Sequence, residues 1–418
     1  MSKFKLTKRE KAWVLYDVGN SAFTMLVSTL IPIYFNALAG GAGISDTDYL
    51  AYWGYAGSIA TLLVAIIGPV FGTLADRKNY KKPIFTVALV VGVISCIALG
   101  FAWSWISFLV IFVLAKVSYS SSLVFYDAML PESTTEERMD NVSSQGYAFG
   151  YIGSCIPFIA CLVVVLLADK IGLTQSSAMT IAFIITALWW LFMTFPMLRT
   201  YKQVKYVEIT GNPVKQTFSQ LWDTFKHMRR EKHIFLFLIA FFFFIDGVYT
   251  IIDMAVAYGT AVGLDTTGLL LALLVTQFVA FPFAILFGRL ASKHSTGLLI
   301  KICIVAYTLI TIFAVFLVSQ WQFWVLAVCV GMFQGGIQAL SRSYFGKIIP
   351  AEKSGEYFGL LDICGKGASF MGTTLIAVVT QVSGRQNIGV GSLVIVFVLG
   401  FLLFAKADKA CTAAAEKK

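Results

Sequence analysis

Six charged residues lie inside stretches that are otherwise as apolar as lipid: Asp17, Lys116, Asp246, Asp253, Asp362 and Lys366. A charge at the centre of a membrane-spanning helix costs about 2.5–3.5 kcal/mol on insertion scales, so such residues face a wet interior and mark a substrate or ion path. Their chemistry is the binding of an oppositely charged group, or the uptake and release of a proton. Burial raises a carboxyl pKa toward neutrality, which suits an aspartate to proton coupling. The three histidines (His227, His233, His294) all fall in basic loops, so any proton relay must use carboxylates. Asp362 and Lys366 stand at i and i+4, the spacing at which a carboxylate and an ammonium meet on a helix, and a neutralised structural pair is an open alternative there. Lys116 has no acid three or four residues away. Its counter-charge is therefore another helix, cavity water or a substrate carboxylate.

The elements that carry these residues form a pattern. Twelve apolar spans are expected, at about 12–38, 49–74, 83–103, 106–130, 142–168, 176–198, 234–259, 267–290, 297–319, 322–346, 355–382 and 388–405. Span 1 carries Asp17, Asn20, Ser21, Thr24 and Ser28 as one helical stripe, and span 4 carries Lys116, Tyr119, Ser120 and Asp127. Span 7 has Asp246 and Asp253, span 10 has Gln334, Gln338, Ser341 and Arg342, and span 11 has Asp362, Lys366, Ser369 and Thr373. The cores of spans 3, 6, 9 and 12 carry no charge. Dry spans at every third position are what a bundle needs if helices 1, 4, 7 and 10 line a central cavity. Asp17 lies near the start of its span, where a solvated helix-start carboxylate is the plain alternative. Phe241 to Phe244 read as packing.

Composition agrees. The 418 residues are 58% hydrophobic and only 13% charged, far from the roughly 25% charged of a globular chain. Mean hydropathy is +0.80, and the apolar residues come in blocks, so the chain is expected to be an all-α integral membrane protein. A soluble enzyme is excluded. A net charge of +10 would fit nucleic acid, but five Lys/Arg lie in the first eleven residues and eight between Arg199 and Lys232, flanking spans. Loops on the other side hold only Lys170 and Arg385 as basic residues. By the positive-inside rule both termini are cytoplasmic, and the basic ends contact anionic lipid rather than nucleic acid. None of the seven cysteines forms a CxxC pair, so neither disulfides nor metal ligation is expected.

The long polar segment at 199–233 divides the chain into a six-span half at 1–198 and another at 234–405, with a cytoplasmic tail at 406–418. The halves echo each other. Gly72-Thr73-Leu74-Ala75-Asp76-Arg77 follows span 2, and Gly288-Arg289-Leu290-Ala291-Ser292-Lys293 follows span 8. Pro131 and Pro350 end spans 4 and 10, and Gly146 to Gly150 and Gly355 to Gly359 open spans 5 and 11. Duplicated halves place a substrate site at their interface near the middle of the membrane.

The stretch from Gly72 to Lys82 resembles the loop signature of the major facilitator superfamily, with Asn79 standing where that family typically has glycine. Trp13, Tyr16, Asp17, Asn20 and Ser21 in span 1, Gly146 to Gly153, and the run from Gln334 through Ser343 to Pro350 resemble its vacuole-effluxer-like, autophagy-related branch, in bacterial form. Thr373 after Gly372 departs from an expected Gly-Pro. The resemblance implies twelve helices in two pseudo-symmetric halves, working by alternating access, and an amino-acid exporter as the activity. It also implies a gating role for Gly72, Asp76, Arg77 and Arg342. Asp76 would accept backbone N–H groups at the start of span 11, around Ser354–Glu356, and Arg77 would pair with Asp127 or Glu132. A topogenic loop is the plain alternative.

The combined reading is a transporter of a small charged or zwitterionic solute. Asp17, Asn20, Lys116, Tyr119, Asp127, Asp246, Gln334, Gln338, Asp362 and Lys366 are the candidates for substrate binding or coupling. Lys116 would take a carboxylate, and Asp246 or Asp17 an amine. Protons, membrane lipid and the solute are the expected partners of a monomer that needs no cofactor. The nearest rival is a facilitator for an organic anion, drug or lysolipid. A membrane-embedded enzyme would need a metal cluster or an activated Ser or Cys, and the sequence offers no such constellation.

Overall fold

A computed structural model describes residues 4–44, 46–208 and 231–415; the side chains of 46–51, 256, 257, 260, 261, 266, 267, 270, 366–370 and 415 stand outside that description. The described chain is helical: α1 (Lys8–Ser28), α2 (Leu30–Gly41), α3 (Asp46–Ala75), α4 (Lys81–Ala98), α5 (Trp105–Ala128), α6 (Leu130–Ser133), α7 (Glu136–Leu166) and α8 (Gln175–Thr200). There follow α9 (Lys232–Ala261), α10 (Thr266–Leu290), α11 (Thr296–Ala314), α12 (Gln320–Ile348), α13 (Ser354–Ser383), α14 (Gln386–Gly391) and α15 (Leu393–Ala415). Every predicted span falls on helical chain, with spans 1 and 12 each divided between two helices. Eleven helices among the described residues are long and apolar enough to cross a bilayer, and the apolar part of α13 is the shorter Met371–Ser383.

Local chemistry sets the helix ends. Thr7 and Glu10 form a capping box that starts α1 at Lys8, and Ser104 with Ser107 does the same for α5. Span 1 is interrupted at Thr29, which leaves helical geometry (φ −132°, ψ −78°) between α1 and α2. Asn79 adopts φ 66°, in the left-handed region that glycine and asparagine reach most easily. That accounts for an asparagine where the family signature has glycine. At the other end, α15 runs through Asp408, which pairs with Lys301 at 2.7 Å, so helix continues over 406–415.

The chain forms two compact units. The first holds 1–133, 149–211 and 352–359; the second holds 134–148, 212–351 and 360–418. Within the first, α1 packs on α8, α3 on α5, and α4 on both α5 and α8. Within the second, α9 packs on α15, α10 on α12, and α11 on both α12 and α15. In span numbers these are pairs 1·6, 2·4, 3·4 and 3·6, then 7·12, 8·10, 9·10 and 9·12. The repeat seen in the sequence is thus a repeat of helix pairing. Spans 5 and 11 differ: α7 and α13 each give their first turns to one unit and the remainder to the other.

Without a hydrophobic drive between helices in lipid, close packing and polar bonds must hold each bundle. In the first unit Trp13 stacks on Tyr126 with ring centroids 4.2 Å apart, and the Trp13 indole N–H donates to the Tyr126 carbonyl at 3.0 Å. In the second, Phe237 stacks against Tyr344 and Phe345 and meets Phe404 edge-on. Phe241 and Phe244 join this aromatic cluster, in keeping with packing.

Candidate functional site

The polar stripe of α1 meets that of α5. Tyr126 donates its hydroxyl to the Asp17 carboxylate at 3.0 Å, and Asn20 donates to the Tyr16 carbonyl at 3.1 Å and to Asp17 at 3.4 Å. The Tyr16 hydroxyl bonds Ser122 at 2.6 Å, and Tyr119 bonds Thr24 at 2.5 Å. Because the capping box starts α1 at Lys8, Asp17 lies in its third turn and is buried. The solvated helix-start alternative is therefore wrong for Asp17. Lys116 and Asp127 lie half-buried on the same α5, with Tyr119 buried between them in sequence.

In the second unit Asp246 is fully buried in α9. One carboxylate oxygen accepts the Gly372 N–H at 2.8 Å and faces the Thr250 hydroxyl at 3.5 Å; the other has no hydrogen-bond partner among the described residues. A Cβ on Gly372 would fall 2.2 Å from the Thr250 hydroxyl and 2.8 Å from the Asp246 carboxylate. Glycine is what lets α13 bring its backbone to this carboxylate, so the departure at Thr373 leaves the essential residue in place. Thr250 also lines a mostly apolar cavity of about 100 Å³ within this unit, together with Tyr258, Thr276, Gln277 and Gln334. Gln338 and Asp362 are half-buried, whereas Asp253 is exposed. The side chain of Lys366 lies outside the described residues, and with it the proposed pair to Asp362.

A second kind of site occupies the end of α3. Gly72 packs so closely on α13 that a Cβ there would fall 2.3 Å from the Gly355 carbonyl oxygen. One turn on, Asp76 accepts the Gly355 and Glu356 N–H groups at 2.8 and 2.9 Å, one on each carboxylate oxygen. These are unsatisfied first-turn donors of α13, where the helix dipole favours an anion. Asp76 also pairs with Lys81 at 3.3 Å. Lys81 is wholly buried; its ammonium reaches Glu132 at 2.8 Å and donates to Ser354 at 2.8 Å. Burial, outweighing Lys81 and the two N–H groups, raises the Asp76 carboxyl from 3.8 to about 6. The expected acceptor role of Asp76 matches the geometry. Lys81, which the sequence presented only as one of four basic loop residues, is a cation on Glu132.

The second unit has a cluster of its own at the start of α7. The Asp140 carboxylate receives the Ser343 hydroxyl at 2.6 Å, the Thr296 hydroxyl at 2.8 Å and the Lys347 ammonium at 2.5 Å. Arg342 donates to the Ser143 hydroxyl and carbonyl at 2.9 and 3.0 Å and lies over the Tyr147 ring at 4.3 Å. Gly288 abuts Ser144, where a Cβ would fall 2.7 Å from the serine Cβ. Sequence reasoning included Arg342 but missed Asp140, Ser143 and Lys347. The weak copy at Ser292 was the available signal: an acid absent from one side of such a contact has to come from the other.

Comparison with known proteins agrees with this architecture. The family model described as "Vacuole effluxer Atg22 like" matches residues 7–136 and 132–414. An uncharacterized MFS-type transporter, YxiO of Bacillus subtilis, is 41% identical over 406 residues, covering 96% of this chain and 95% of that one. Autophagy-related protein 22 of Kluyveromyces lactis is 22% identical over 356 residues, 79% of this chain and 66% of that protein. The chain spans less than half (44%) of autophagy-related protein 22-1 of Aspergillus fumigatus. Among solved structures, the major facilitator transporter FucP in its outward conformation matches with a TM-score of 0.69 at 13% identity, over 96% of this chain and 97% of that one. The human organic anion transporter MFSD10 gives 0.69 at 13% identity, over 96% and 100%.

Proposed function

Because the chain belongs to the vacuole effluxer Atg22-like family and is a multi-pass membrane transporter of the major facilitator superfamily, we propose that it exports small zwitterionic solutes, amino acids foremost, by alternating access. The observation that carries this reading is Asp246, fully buried in an apolar helix with one carboxylate oxygen left without a hydrogen bond. A buried carboxylate in that condition binds a proton, or an amine, in one state of a cycle. The Asp17 network supplies a second carboxylate, and Lys116 the cation for a substrate carboxylate. Tyr119, Asn20, Asp127, Gln334, Gln338, Asp362 and Lys366 complete the candidate set.

In this reading Gly72, Asp76 and Arg77, joined by Lys81 and Glu132, gate the first unit through the first turn of α13. Arg342, with Asp140 and Lys347, does so in the second through the first turns of α7. Both helix starts belong to the cytoplasmic side, and the protein resides in the cell membrane. The test is uptake into liposomes by purified protein, with an amino-acid panel and imposed pH gradients. Saturable amino-acid flux that an Asp246→Asn variant loses is the expected result. Flux of amino acids no faster than in empty liposomes, with organic anions carried instead, would overturn the substrate assignment.

A further inference from the structure

The chain leaving α8 does not hang free. Its first residues cross the Asp76–Lys81–Glu132 cluster and supply it with donors and acceptors. Tyr201, buried, donates its hydroxyl to Glu132 Oε1 at 3.0 Å, and the N–H groups of Val204 and Lys205 donate to Oε2 at 2.7 and 3.2 Å. Gln203 accepts the Lys81 N–H at 3.3 Å and donates to the Ala75 carbonyl at 3.1 Å. Val207 donates to the Asp76 carbonyl at 2.8 Å and forms a parallel bridge with Arg77. Lys78 lies over the Tyr206 ring, and Arg9 donates to the Lys202 carbonyl.

From this geometry we infer that residues 201–208 are a permanent strap on the cluster, a positioning segment that holds Glu132 and Lys81 in place while the first turn of α13 docks and leaves. Two features separate the strap from the docking itself. Every strap bond goes to α1, α3, the loop after α3, α4 or α6. Asp76 and Lys81 side chains bond Ser354, Gly355 and Glu356, and Ser354 also donates to the Ala128 carbonyl at 2.8 Å; none of these partners belongs to the strap. Withdrawal of α13 therefore breaks none of the strap bonds.

The strap also answers a charge problem. Two buried carboxylates share one buried ammonium. Two backbone N–H groups converging on one Glu132 oxygen make the kind of concave anion site that stabilises a carboxylate without a second cation. Charge-assisted bonds of this type are about twice as strong as neutral ones. With Glu132 saturated in this way, Lys81 stays anchored between two acids when Ser354 departs, and the cluster keeps the shape that α13 must find again.

The inference takes its significance from the gating reading, but its test reads amide hydrogen exchange and requires no transport. The full-length protein in nanodiscs is followed by exchange mass spectrometry over peptides covering 202–208 and 353–358. The strap peptide should exchange more slowly than the α13 peptide. In Val204→Pro, which deletes one N–H donor at an exposed side chain, exchange at 353–358 should quicken about tenfold, consistent with loss of a hydrogen bond to a charged group. A peptide from α12 should be unchanged, which separates positioning from general destabilisation. Tyr201→Phe should act in the same direction. Exchange at 202–208 as fast as at 353–358 would show that the strap leaves with α13. An unchanged α13 peptide in both variants would show that the strap is docked without positioning anything. Either result overturns the inference.

Discussion

The Lys81 ammonium lies 2.8 Å from a Glu132 carboxylate oxygen, and both side chains are shut off from solvent. They are 51 residues apart in sequence, on different helices, and each is committed to further partners. Removing one member of a buried pair is far more damaging than the pair is stabilising, at about 3–5 kcal/mol. Lys81→Met removes the ammonium that Asp76 and Glu132 share and should cost about that much. Glu132→Gln leaves Lys81 paired with Asp76 and should cost clearly less. Thermal unfolding of the purified variants checks the order, and equal effects would refute the asymmetry.

Asp76 gives a pH prediction whose sign follows from its environment. Its carboxyl stands at about 6 in the docked form against 3.8 for the free group. Between those values the docked form holds more proton than a form with Asp76 in water. Docking of α13 therefore weakens as pH rises through that window and levels off above it. Acidification from about pH 7 to about pH 5 should slow exchange at 353–358 once the intrinsic pH dependence is removed. Asp76→Asn should flatten that response and impair transport more than folding. A wild-type clamp that loosens on acidification would contradict the assignment.

Two glycines of α13 should respond in opposite ways to alanine. At Gly372 the added Cβ collides with Thr250 and Asp246, whereas at Gly365 it meets, among the described residues, Tyr249 and Phe241 at ordinary contact distances of 3.6 and 3.7 Å. Gly365→Ala should be neutral or stabilising by up to about 1 kcal/mol, the helix-propensity difference. Gly372→Ala should lower the melting temperature and impair transport. A neutral Gly372→Ala would remove the geometric reason for glycine beside Asp246.

Charge distribution predicts sidedness. A cysteine placed at Gly43 should react with an impermeant thiol reagent from outside intact cells, and one at Glu208 only after the inner face is exposed. Both positions are solvent-exposed. The reverse pattern would invert the topology and move the two charge clusters to the outer side.

The primary sequence by itself determined the spans, because twenty apolar residues in a row have one low-energy solution in lipid. It also determined the repeat, visible in Gly72 and Gly288 and now seen as equivalent helix pairings. The acceptor role of Asp76 was legible too, because a carboxylate beside a glycine that permits close approach points to a helix start. Tertiary structure decided which charges meet. Lys81 was one basic loop residue among four until folding buried it between Asp76 and Glu132. Asp140 had only the indirect signal of Ser292 until α7 met the end of α12, and a solvated Asp17 stayed an open alternative until Tyr126 was found bonded to it. The physical reason is the same in each case. Hydropathy and charge count are properties of a segment and survive in one dimension, whereas desolvation and hydrogen bonding depend on neighbours that the chain brings in from other helices, such as Glu132 at 51 residues from Lys81 and Ser343 at 203 from Asp140.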